Sequence, residues 1–175
     1  MNFKMLSDNK AVITAYSPEE SKDLGYLIGE NLYPGFTILF FGGLGMGKTV
    51  VTQGIGNALG VKNVKSPTFI IVSEHEGVVP FVHADLYRLE KDSEVDFLDL
   101  ENYLDQGCVL VVEWAEKWNI NLTKDTFKIT IEKTEEYENI RTITLEALGN
   151  KATKKLEQVI STLNDRGQQY DSTRN

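Results

Sequence analysis

Gly42 and Gly47 bracket four residues, and Lys48 and Thr49 follow directly, so that the stretch from Phe41 reads FGGLGMGKT. This is the phosphate-binding loop pattern G-x-x-x-x-G-K-[ST]. A polyphosphate needs inward-pointing backbone N–H groups and few side chains in the way. Gly42, Gly43, Gly45 and Gly47 allow the backbone angles and the close approach. Lys48 supplies a cation for the outer phosphates, and Thr49 offers its hydroxyl to Mg²⁺. Leu44 and Met46 complete the loop, and Val50 continues the helix whose N-terminus favours the same anion.

Such a loop requires a carboxylate for the metal, and two candidates stand at the ends of apolar runs. Glu113 closes the run from Cys108 to Val112, and Asp85 ends the β-rich segment from Val78 to Ala84. In open α/β sheets, ligands bind at the carboxyl ends of the strands. Glu113 is the first choice for Mg²⁺. Asp85 would contact the metal through water or orient the attacking water, and the division of work between the two stays open. Thr68, in Ser66-Pro67-Thr68, could sense the γ-phosphate as switch loops do, or could belong to an ordinary turn. Trp114 and Trp118 read first as packing residues, with Trp114 the better candidate for a nucleotide contact. His83 reads as structural. An Asn-Lys-x-Asp element after the loop is missing, which favours ATP over GTP.

The elements that must position these residues are legible in outline. Thr37 to Phe41 is a short apolar strand entering the loop, and Val51, Ile55, Ala58 and Leu59 repeat at helical spacing after it, with Gly60 as the stop. Lys10 to Tyr16 predicts the first strand. Ser17, Pro18 and Glu20 predict a capped helix start, and Pro34-Gly35 its end. Phe69 to Ser73 with Val78 to Ala84, and Phe127 to Ile131 with Ile140 to Leu145, predict two antiparallel hairpins. The acidic stretch from Glu90 to Asp105 predicts one or two short helices, and Lys151 to Leu163 a C-terminal helix with a frayed polar tail. The expectation is an α/β P-loop NTPase domain over 1–149. It has a central, mostly parallel sheet, flanking helices and antiparallel hairpin additions, and residues 150–175 form the helix and tail.

Composition narrows the function. A net charge of −8 with no Lys/Arg-rich run argues against direct gripping of a nucleic acid backbone. No apolar run reaches the roughly 20 residues that span a bilayer, and the N-terminus has no apolar signal segment. The one cysteine, Cys108, predicts a buried filler in a reducing, cytoplasmic setting.

Together GGLGMGKT, VKSPTF (Val64 to Phe69), HADLYRL (His83 to Leu89), VEWAEK (Val112 to Lys117) and IRTITLEALG (Ile140 to Gly149) resemble the TsaE (YjeE) family, small ATPases of bacterial tRNA threonylcarbamoyladenosine formation. The resemblance runs from Ser17 to about Gly149. It implies that Lys48 binds phosphates, Thr49 and Glu113 serve Mg²⁺, and Asp85 is essential to ATP turnover. Thr68 then belongs to a switch-like loop, Trp114 lies beside the nucleotide, and Arg141 approaches it. It also implies TsaD and TsaB proteins as partners that hold the tRNA. Gly43 stands where the family commonly has aspartate, and Met46 where it has alanine. Two other readings of the loop remain: a small-molecule kinase, against which the single Arg88 between Asp85 and Glu113 counts, and a nucleotide-gated binding module in which hydrolysis is incidental.

Overall fold

The computed structural model describes residues 1–65, 70–118, 125–134 and 137–172. Thr68 lies outside them. Eight strands form one sheet: β1 (Asn2–Ser7), β2 (Lys10–Ala15), β3 (Thr37–Phe41), β4 (Val72–His75), β5 (Phe81–Asp85), β6 (Val109–Glu113), β7 (Thr126–Lys133) and β8 (Arg141–Leu148). Their spatial order is β1-β2-β8-β7-β3-β6-β5-β4. The four central strands, β7, β3, β6 and β5, are parallel. The remaining pairings are antiparallel, so a parallel centre carries antiparallel additions on both sides. Short connections explain three of these: β1–β2, β4–β5 and β7–β8 are joined by hairpins, which can only pair antiparallel, while β2–β8 joins strands distant in sequence.

β1 lies in a segment the sequence gives no reason to pair. Only Phe3 in it is half-buried, so it lacks an apolar alternation and is held to β2 by its backbone. β6, by contrast, is buried over all five residues. Its side chains alternate between two cores. Val109 and Val111 face the helices α1 (Pro18–Gly29), α2 (Lys48–Ala58) and α5 (Asn150–Ser172), while Leu110 and Val112 face α3 (Asp92–Asp96) and α4 (Leu100–Asp105).

α1 begins as its sequence requires: the Ser17 hydroxyl accepts from the Glu20 amide at 3.2 Å. The Glu20 carboxylate reaches back to the Tyr16 amide at 2.8 Å, one residue before the position a standard capping box uses. The helix ends at Gly29, before Pro34-Gly35, because the Asn31 side chain donates to the Leu27 carbonyl at 2.8 Å and closes the last turn. Pro34-Gly35 instead forms the turn into β3, with Gly35 at φ 83°. The C-terminal helix extends past Leu163 to Ser172, and Ala152, Leu156 and Val159 are fully buried in the core with α1.

α1 and α2 touch through glycines. A Cβ on Gly54 would stand 2.0 Å from the Lys22 carbonyl oxygen, and one on Gly25 would stand 2.1 Å from that of Val51. Backbone meets backbone at this crossing, which fixes the helix that carries the phosphate-loop residues.

Candidate functional site

β3 delivers the chain into the loop, and α2 starts at its far end. Gly42, Gly45 and Gly47 have φ of 126°, 74° and 100°, the left-handed region that side chains disfavour. Gly42 is also pressed against β7, where a Cβ would lie 2.5 Å from the Ile131 carbonyl oxygen. Gly43 has neither constraint. Its Cβ would meet only the Met46 side chain, at 4.0 Å, so the aspartate common in the resembling family fits here. Leu44 is exposed at the loop tip. The Met46 carbonyl accepts from Arg141 Nε at 2.9 Å, which ties the loop to β8. Val50 lies in the first turn of α2, its amide donating to the Gly47 carbonyl at 3.0 Å.

Lys48 is buried, with Nζ donating to the carbonyls of Gly42 at 2.6 Å and Gly43 at 2.8 Å. The same ammonium lies 4.0 Å from the centroid of the Trp114 ring. Burial pushes its pKa down, while the carboxylates of Glu113, Glu116 and Asp85 pull it back up. Trp114 is itself held at φ 60°, unusual for a bulky residue. Its ring packs on Tyr87 at 4.9 Å. Lys117 ties this aromatic pair down by donating to the Tyr87 carbonyl and, at 2.8 Å, to that of Leu89.

The two acids stand side by side. Asp85 and Glu113 are register partners at the ends of β5 and β6, and Glu113 is in turn opposite Phe40 of β3. Glu113 is 3% exposed. Its Oε1 accepts from Thr49 Oγ1 at 3.1 Å, and its Oε2 lies 3.2 Å from the same hydroxyl. Thr52 Oγ1, one helical turn further on, approaches Oε1 at 3.5 Å. Asp85 is half-buried and accepts from the Tyr87 amide at 3.0 Å. The sequence-predicted residues of the loop, Asp85, Glu113 and Trp114 therefore converge, while Arg141 reaches the loop through its backbone.

Two residues in the cluster are not among the site residues expected from sequence, where His83 reads as structural. His83 Nε2 lies 2.9 Å from Glu113 Oε1 with its ring fully buried. Thr52 shares the α2 face of Lys48, to whose carbonyl its hydroxyl donates at 3.0 Å. The signals were present: His83 stands two residues before Asp85 on one strand, and Thr52 stands four after Lys48 on one helix. Only the pairing of β5 with β6 turns the first into a contact.

The donors suit Mg²⁺. A hydroxyl and a carboxylate are hard oxygen ligands. Among the described residues no three His, Cys, Asp or Glu side chains form a metal cage.

Comparison with known proteins gives a consistent result. The family model described as "Threonylcarbamoyl adenosine biosynthesis protein TsaE" matches residues 15–143. A TsaE protein of Bacillus subtilis (strain 168) is 38% identical over 137 residues, covering 77% of this chain and 84% of that protein. One from a Nostoc species is 40% identical over 121 residues, covering 65% and 74%. A crystal structure of Bacillus subtilis YdiB superposes with a TM-score of 0.74 at 28% identity, covering 91% of this chain and 98% of the other.

Proposed function

The chain belongs to the TsaE family, and from that premise we propose that it is a P-loop ATPase that binds and hydrolyses ATP with Mg²⁺. Its turnover drives or resets the partner complex that forms threonylcarbamoyladenosine on tRNA. The observation that carries the ATPase reading is the convergence of Lys48, Thr49 and Glu113 under one glycine loop, with Asp85 in register beside Glu113. The names of the family and of its relatives support the tRNA pathway.

In this reading the loop amides and the α2 N-terminus hold the phosphates. Lys48 exchanges its carbonyl partners for phosphate oxygens, which strengthens each contact by full charge. Thr49 and Glu113 hold Mg²⁺, which when bound neutralises charge developing on the outer phosphates. Asp85 orients the attacking water, and Trp114 covers the lysine from the side. The partners proposed are TsaD and TsaB proteins. An acidic chain suits a contact with proteins better than a grip on tRNA.

The test combines binding with product analysis. Lys48→Ala is expected to abolish ATP binding in calorimetry. The unaltered protein, added to TsaD and TsaB proteins, is expected to release free phosphate and to co-purify with them in the presence of ATP. Undiminished affinity in Lys48→Ala would overturn the site. A phosphorylated metabolite in place of free phosphate would favour a kinase. An Asp85→Ala protein that binds ATP, lacks turnover and still supports the modification would favour a nucleotide-gated module.

A further inference from the structure

His83 is fully buried on β5, flat against Phe81 (centroids 6.2 Å, 19° between planes), and Phe81 in turn lies against His75 at 5.5 Å and 21°. This stack leaves the His83 ring little freedom to turn. Its Nε2 meets Glu113 Oε1 at 2.9 Å, while Nδ1 is buried without a hydrogen-bond partner among the described residues. A carboxylate only accepts, so Nε2 is the donor in this pair. Among the described residues the imidazole therefore has one polar partner, Glu113.

We propose that His83 is a positioning residue for the divalent cation: by engaging Oε1 it fixes the Glu113 carboxylate in one rotamer, with Oε2 kept beside the Thr49 hydroxyl. This rests on the reading of Thr49 and Glu113 as the Mg²⁺-holding side chains. Among the described residues three polar side chains lie around this carboxylate. Thr49 and Thr52 come from α2, and His83 is the one that comes from the sheet. Both threonines sit on the element that bears the phosphate loop, so they can shift with it. His83 is anchored to the neighbouring parallel strand, in register two pairs away from Asp85–Glu113. It supplies the fixed reference against which Glu113 is aimed. Groups in contact with a metal's ligand commonly set its affinity by about 10–100-fold.

The experiment measures binding of a non-hydrolysable ATP analogue by calorimetry while Mg²⁺ is titrated, with analogue binding in a chelator as reference. His83→Phe keeps the stacked ring and removes the donor. It is expected to raise the Mg²⁺ half-saturation point by about tenfold or more and to leave metal-free binding unchanged. His83→Gln, whose amide can donate over a similar reach, is expected to restore most of the Mg²⁺ response. His83→Asn, with a shorter reach, is expected to behave like His83→Phe and carries the test if the latter does not fold. An unchanged Mg²⁺ response in His83→Phe or His83→Asn overturns the proposal, as does an equal loss of metal-free binding. Glu113→Gln separates the two levels. If it shifts the Mg²⁺ response while the His83 variants do not, only the positioning role fails. If Glu113→Gln has no effect on the response, the reading of the metal site fails with it.

Discussion

Arg141 holds the glycine-rich loop by its backbone. Nε donates to the Met46 carbonyl at 2.9 Å, and the neighbouring nitrogen donates to the carbonyls of Glu138 at 2.6 Å and Ile140 at 3.0 Å. One planar group thus bridges the start of β8 and the loop, a fork that a lysine cannot reproduce. Arg141→Ala is expected to weaken ATP binding about tenfold, or ~1.4 kcal/mol, in line with the loss of one charge-assisted hydrogen bond. Arg141→Lys should be weakened similarly in the same calorimetric titration. Full rescue by lysine would instead mean that the charge acts on the nucleotide directly. Gly43 is the contrasting case, a loop glycine whose position demands neither a special backbone angle nor empty space.

α2 is placed by its contact with α1, and that contact depends on missing side chains. Gly54→Ala would improve helix propensity by about 1 kcal/mol, yet its methyl would overlap the Lys22 carbonyl at 2.0 Å and the Tyr26 amide at 2.7 Å. Overpacking of this kind typically costs about 1–3 kcal/mol or more. We expect Gly54→Ala to lower Tm by about 5 °C or more, followed by circular dichroism, while Gly43→Ala leaves Tm unchanged. The elements around the loop were largely readable beforehand. Thr37–Phe41, the glycine string and the spacing of Val51 and Ile55 carry strand, turn and helix in local pattern alone. What escaped the sequence depends on partners distant in the chain. Gly25 and Gly54 look like weak points of their helices until the helices are crossed, and His83 looks like a core residue until β5 is laid beside β6. β1 was missed for a different reason: its exposed Met5 and Leu6 break any apolar alternation.

At the scale of the whole molecule, the sheet separates two cores, and α5 belongs to the larger one. Leu156 is fully buried there with Leu24 and Ile143. Leu156→Ala should destabilise by about 2–5 kcal/mol, lowering Tm by about 5–15 °C. It should do so in a single transition seen alike by circular dichroism and tryptophan emission. A separate early transition would mark α5 as an independent appendage. No helix among the described residues is long and apolar enough to cross a membrane. The register of Asp85 with Glu113 has a consequence for how this site is lost. Both acids close interior strands, and β6 is enclosed on both faces. Amides in such strands exchange with solvent only when the whole domain opens. Fraying at the edges, at β1 or β4, leaves the spacing of the two carboxylates untouched. Heat is therefore expected to abolish ATP binding and unfold the protein in one event, with calorimetric binding and circular dichroism losing signal at the same temperature.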